Sequence, residues 1–435
     1  MSIESGVIAR LRESLDFEGA TALLKRAVGT PSVTGTEAAF AAMLAGELRE
    51  LGAVDVSLTE FAPGRPNVRG LLKGSGKGPC LLLTGHLDTV HVRGWSERWA
   101  GTERADPFGG ALIDGAMWGR GSGDLKAGIC TVLAAAQLSK AAAVELKSDI
   151  LFAFVGDEES GEPDTGRSMG MQALVADIEA GKTPKPDFAV YVEPTRLDVF
   201  PAQMGFVICD IVVTGRSAYF GVPEAGIDAL KAAHAVLSAL FGHSAELEAQ
   251  APHPLVGRPF ALVTGIDGGG YIAVPGECRI NLILKVLPGY SLDTAVAELE
   301  VAIRAAPVEP GIRIRLIYPA GRDHRFGGMP TEVPCDLAPV KLLAEAIKSI
   351  RPARGEIRGA PYWSEAPFLV ERLGIPTVYC APGDISNCHT LEEHVDLEEY
   401  RDGIVAFAAF LTRFGELDPT GFNRPILGHN GEGQC

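Results

Sequence analysis

Leu81-Leu82-Leu83-Thr84-Gly85-His86-Leu87-Asp88 joins an apolar run to a terminal His-x-Asp. Short apolar runs of this kind fill strands covered on both faces, as in a parallel sheet with helices above and below. Ile150–Val155 is a second such run, and Asp157-Glu158-Glu159 follows it closely. Ala189-Val190-Tyr191-Val192 is a third, and it ends at Glu193. Polar, titratable residues thus collect where buried strands stop.

Working outward, residues 17–28 and 37–51 carry apolar side chains at three- and four-residue spacing, which predicts helices before the first strand. After the turn Gly119-Arg120-Gly121-Ser122-Gly123, residues 124–140 read as a helix with Asp124 as its capping residue. The alternation is that of an α/β fold with a mostly parallel sheet flanked by helices. From Phe206 the texture changes. Residues 206–214, 261–267, 277–287 and 312–318 read as strands, with helices over 226–241 and 292–305. This predicts a smaller α+β domain over 206–320, inserted into a catalytic domain made of 1–205 and 321–435. Re-entry follows with a helix over 337–350, a strand over 377–380 and a closing helix over 397–414. Residues 423–435, polar and Gly-rich, are expected to fray.

At 435 residues, 46% hydrophobic and 22% charged, the chain can bury two cores. A net charge of -16 without an acidic tail argues against nucleic-acid or anionic-membrane partners. The first residues lack a signal-peptide apolar stretch, and no run reaches the roughly 20 apolar residues of a spanning helix, so a cytoplasmic enzyme is expected. Eight cysteines without a CxxC spacing suit reduced thiols. Cys388 stands out only because His389 follows it.

His86, Asp88, Asp124, Glu158, Glu159, Glu193 and His389 together make the donor set of a two-metal hydrolytic site. Imidazole nitrogen and carboxylate oxygen hold divalent ions, one short carboxylate spans them, and another stays free to move a proton. Asp88, two residues beyond His86 on an extended chain, is placed to hold its imidazole. Adjacent Glu residues point apart, so Glu159 is expected as a ligand and Glu158 as the general base. Alone, each piece fits an ordinary role: a loop His, a helix cap, an acidic turn. Gly74-Ser75-Gly76-Lys77-Gly78 precedes a strand with no helix behind it and is not a phosphate loop.

The chain resembles the M20 family of metallohydrolases over nearly its whole length. The residues that carry the likeness are GHLDTV at His86, WGRGSGDLKAG at Asp124, DEESG at Glu158, EPT at Glu193, GRSA and VPGEC in the middle, and CHTLEEHV at His389. The resemblance implies two divalent ions, Zn or Mn with Co also admitted. It puts His86, Asp124 and Glu193 on one ion, and Asp124, Glu159 and His389 on the other. Asp88 and Glu158 take the catalytic roles, and the inserted domain serves as a lid or dimerisation unit, giving a homodimer or higher homo-oligomer.

Substrate-facing positions depart from the family pattern. Tyr219 stands where a His is usual, Lys285 where an Arg is, Ile272 where an Asn is, and Ser364-Glu365 replaces a Ser/Thr-Asp pair. Lys cannot reproduce the bidentate fork of Arg, and Tyr carries no charge near neutral pH. Tyr219, Tyr271, Ile272, Lys285, Trp363 and Glu365 are the expected substrate contacts. The leading expectation is hydrolysis of a C–N bond in a small carboxylate-bearing molecule, such as an N-acyl amino acid, carbamate or dipeptide. An aminohydrolase releasing ammonia from an aromatic amine such as a nitroanthranilate is the alternative. A relative that binds ligands without turnover is a third.

Overall fold

The computed structural model describes residues 5–76, 78–160 and 165–422; the expected fraying over 423–435 lies outside them. One sheet has nine strands. Its order is Val54–Ala62, Arg65–Leu72, Ile150–Val155, Leu81–His86, Phe188–Tyr191, Thr377–Tyr379, Val199–Gln203 and Thr331–Glu332, with Ile357–Ala360 also beside Val199–Gln203. The four central strands, Ile150–Val155 to Thr377–Tyr379, run parallel. Antiparallel pairs sit toward both edges, so the sheet is mixed, with its parallel part at the centre.

The apolar runs read from the sequence are the innermost strands, and every residue of Leu81–His86 and Ile150–Val155 is buried. Helix Ala127–Ala141 is buried almost all round and packs against the closing helix Leu397–Phe414. Its small residues permit close approach. A Cβ on Gly128 would lie 2.2 Å from the Val192 carbonyl oxygen, so the helix seats on the segment leading to Glu193 only with glycine there.

The second sheet is antiparallel and orders Phe260–Gly268, Glu277–Val286, Gly205–Thr214 and Arg313–Ile317, with Gly327–Gly328 also on Gly205–Thr214. Period-two burial is clear on Glu277–Val286: Cys278, Ile280, Leu282, Leu284 and Val286 are buried. They join a separate apolar cluster with helices Ala229–Glu248 and Leu292–Arg304.

Two expectations need correction. The helix starts at Ala127, and Asp124, at φ -121 and ψ 96, lies in an irregular turn Ser122–Lys126 ahead of it. Its carboxylate faces histidines instead of capping backbone N–H groups. Cys335 is disulfide-bonded, so the thiols are not all reduced; Cys80, Cys130, Cys209, Cys278, Cys380 and Cys388 are free. Among the described residues no helix is long and apolar enough to cross a membrane.

Candidate metal centre

Parallel strands end on the same edge of a sheet, and that edge gathers the titratable residues. His86 closes its strand opposite Val155, which brings it beside the loop carrying Glu158 and Glu159. Glu193 lies just past Phe188–Tyr191, the neighbouring parallel strand. Asp124 enters from the turn before helix Ala127–Ala141. His389, in a left-handed conformation at φ 61, enters from the loop after Thr377–Tyr379.

Asp124 is the centre of this arrangement. Its Oδ1 lies 3.0 Å from His86 Nε2 and its Oδ2 lies 3.1 Å from His389 Nε2. Glu193 Oε1 is 3.8 Å from His86 Nε2, and Glu159 Oε1 is 2.8 Å from His389 Nε2. Ligand atoms of His86, Asp124 and Glu159 all fall within 4.8 Å of one another. One carboxylate therefore stands between two imidazole–carboxylate pairs.

Asp88 does not hold the His86 ring with its side chain. The ring's Nδ1 is 2.8 Å from the Asp88 backbone carbonyl. A carbonyl only accepts, so Nδ1 carries the proton, and in the neutral imidazole Nε2 keeps its lone pair toward Asp124. The Asp88 carboxylate instead accepts from the N–H of Glu158 at 3.2 Å, the N–H of Glu159 at 2.9 Å and the Thr34 hydroxyl at 3.1 Å. The extended geometry assumed from the sequence ends at His86, so the Asp88 side chain is free to turn to the neighbouring loop.

Further polar residues brace the centre. Buried Glu393, ion-paired with buried Arg120, accepts from the backbone N–H groups of Gly123 and Asp124 at 3.1 Å each. The Ser364 hydroxyl donates to Glu193 Oε1 at 2.7 Å, and Gln203 holds the Ser364 backbone through both its amide groups. Asp157 accepts from the N–H groups of Gly166, Arg167 and Met169, and Arg65 pairs it with buried Glu37. Arg120 and Glu393 stood in motif stretches of the sequence, but nothing there signalled their contact. Cys388 is no part of the donor set, since its thiol is directed to the Asp384 carbonyl at 3.3 Å.

The electrostatics follow from burial and crowding. Desolvation would lower the His86 imidazole, but Asp124 and Glu193 outweigh it and raise it well above its ordinary value. His389 is likewise lifted against burial, to about 11, by Asp124 and Glu159. Burial pushes Glu159 up to about 7 and Glu193 well up, with the Asp124 charge adding to both. Asp124 is held below the usual carboxylate range despite burial, because His389 and His86 face it. Asp88, Asp124, Glu158, Glu159 and Glu193, all buried, outnumber the two imidazoles. Such an excess of carboxylate oxygen, with imidazole nitrogen interleaved, fits divalent cations.

The expected substrate contacts divide. Lys285 pairs in register with Phe206, which sets its ring edge-on to Trp363 at 5.2 Å, and the Trp363 indole donates to the Met329 carbonyl at 2.9 Å. A Cβ on Gly328 would lie 2.3 Å from the Trp363 ring, so glycine lets the indole dock there. Phe206 and Trp363 thus meet where the second sheet adjoins the first. Tyr219, Tyr271 and Ile272 are exposed, on loops joined by the Tyr219–Ala273 bridge. Glu365, also an expected contact, is fully buried and accepts from the Tyr191 hydroxyl at 2.9 Å.

Comparison with known proteins gives concordant relatives. An acetylornithine deacetylase of Proteus mirabilis (strain HI4320) is 27% identical over 387 residues, covering 86% of this chain and 91% of its own length. The fold matches an M20 family metallo-carboxypeptidase from Sulfolobus solfataricus with a TM-score of 0.71 at 17% identity, covering 92% of this chain and 99% of that one. A dinuclear metal-binding peptidase of the M20 family from Bacillus subtilis matches with a TM-score of 0.59 at 14% identity, covering 95% and 99%. Residues 82–413 match the profile of peptidase family M20/M25/M40, and the chain belongs to that family of metal-dependent hydrolases acting on C–N bonds.

Proposed function

We propose that the protein holds two divalent ions and hydrolyses a C–N bond, of the amide deacylase or carboxypeptidase type, in a small carboxylate-bearing molecule. The observation that carries this reading is Asp124, whose two oxygens face different imidazoles at 3.0 and 3.1 Å. His86, Asp124 and Glu193 would hold one ion, and Asp124, Glu159 and His389 the other. Two imidazoles among carboxylates suit Zn, Mn or Co. When bound, the ions polarise the scissile carbonyl and acidify the attacking water. Glu158, beside this donor set but outside the contacts of either imidazole–carboxylate pair, takes the proton from that water and gives it to the leaving amine. Asp88 fixes the loop that presents Glu158 by accepting from two successive N–H groups.

Lys285 is the proposed anchor for the substrate carboxylate. It pairs on the second sheet with Phe206, whose ring meets Trp363, and the structure gives it no carboxylate partner among the described residues. We also propose a homodimer through the second sheet, since its edge strand Phe260–Gly268 exposes Phe260, Leu262 and Ile266. A cytoplasmic enzyme without nucleic-acid or membrane partners completes the reading.

The test is mass spectrometry of products after metal-reconstituted protein meets a pool of N-acyl amino acids, dipeptides and aromatic amino-carboxylates, with a chelated control. Two fragments from an acylated substrate or dipeptide, absent on chelation, are expected. A hydroxylated ring with free ammonia would replace this reading with the aromatic aminohydrolase, and the absence of any chelator-sensitive product would overturn both.

A further inference from the structure

The backbone of Glu158 is gripped from both sides. Its N–H donates to Asp88 Oδ1 at 3.2 Å. Its carbonyl accepts from Arg322 Nη1 at 2.9 Å, across 164 residues of sequence. Arg322 belongs to the segment returning from the second sheet, and its backbone N–H is shared between the carbonyls of His324 and Gly327 at 3.2 and 3.0 Å. Gly327 in turn pairs with Val207 on the second sheet. The guanidinium carbon stands 5.7 Å from the Trp363 ring, and among the described residues no carboxylate forms an ion pair with it.

A half-buried guanidinium with no carboxylate partner among the described residues, donating to a loop carbonyl 164 residues away, gives that carbonyl a charged donor, stronger than a neutral one. We propose that Arg322 is a positioning residue for Glu158, which ties the geometry of the base to the seating of the second sheet on the first. This rests on the reading of Glu158 as the general base. With the sheets seated, the peptide plane between Glu158 and Glu159 is fixed at both ends, its C=O by Arg322 and its N–H, that of Glu159, by Asp88 Oδ2 at 2.9 Å, and the carboxylate is aimed. Displacement of the second sheet withdraws the guanidinium, leaves the peptide held at one end only, and lets the base turn away. A charged N–H donor is needed at that point, so Lys can substitute in part and Met cannot.

The experiment compares full-length, metal-reconstituted wild type, Arg322→Met, Arg322→Lys and Glu158→Gln. Hydrogen exchange is read over residues 156–160, and kcat and KM are read on the N-acyl amino acid and dipeptide pool. In Arg322→Met, exchange over 156–160 should rise about tenfold or more while the strands Leu81–His86 and Ile150–Val155 stay protected. Its kcat should fall about 10- to 100-fold with KM nearly unchanged, and Arg322→Lys should recover part of both. Unchanged exchange in Arg322→Met overturns the inference whatever the substrate, as does unchanged kcat where Glu158→Gln is inactive. Wild-type turnover in Glu158→Gln would instead overturn the assignment of the base. Loss of strand protection in Arg322→Met, not relieved by Lys, would mean a merely structural role and also overturn the inference.

Discussion

The Ser364 hydroxyl donates to Glu193 Oε1 at 2.7 Å, and Ser364 is itself pinned by Gln203. A carboxylate oriented in this way presents its free lone pairs in a fixed direction. On the proposed ligand set, Ser364→Ala should weaken ion affinity by about 10- to 100-fold without unfolding the chain. Competition with a chelator of known affinity measures it, and unchanged affinity would remove Ser364 from the account.

Glu158→Gln keeps the shape of the side chain and removes its basicity. Turnover should fall by about 100- to 10,000-fold while bound metal and the unfolding midpoint stay at wild-type values. Metal analysis and calorimetry on the same preparation separate this from loss of the centre, and activity within a few-fold of wild type would rule out the proton-transfer role.

Lys285 gives a pH signature. Burial lowers its ammonium from an ordinary 10.5 to about 8, so the cation that would grip a substrate carboxylate is lost as pH rises through about 8. KM for carboxylate-bearing substrates should climb above that pH by up to about tenfold per unit, and Lys285→Met should raise it at every pH. The same shift acts on folding with the opposite sense. Between about 8 and 10.5 the unfolded chain binds more protons than the folded one, so this residue makes stability rise with pH there. A KM independent of pH up to 10 would dismiss Lys285 as the anchor.

Glu365 works in the other direction. Burial raises its carboxyl from an ordinary 4.5 to about 8, and the Glu158 charge adds to this. Folded protein therefore holds a proton that unfolded protein releases between those values, and stability falls as pH rises through that window. Glu365→Gln, a neutral isostere, should flatten the fall in metal-free protein and still accept the Tyr191 hydroxyl through its amide oxygen. Thermal unfolding at a series of pH values checks it, and an unaltered slope would mean that Glu365 is ionised in the fold.

How much of this could be read from the sequence depended on what each residue does. Strands covered on both faces announce themselves as apolar runs, so the titratable residues at their ends, His86, Glu158, Glu159 and Glu193, could be named as a set although each alone fits an ordinary role. Asp124 was legible as a residue but not in its local structure, because a Gly-rich turn before a helix looks like a cap until tertiary contacts draw the carboxylate elsewhere. The orientation of Asp88 was hidden for a related reason: period-two reasoning holds only while the strand continues, and it stops at His86. Ser364, Glu393 and Arg322 act through contacts spanning 171, 269 and 164 residues. No local pattern carries such information. Glu365 was legible as an expected substrate contact, but a lone Glu gives no sign in sequence that a Tyr191 hydroxyl meets it in the core.

The most direct test of the two-ion centre is the metal content of purified, reconstituted protein set against Asp124→Ala. If Asp124 stands between two ions, wild type should carry two equivalents per chain and the variant, still folded, should lose both. One equivalent in wild type, or two retained in Asp124→Ala, would contradict the account.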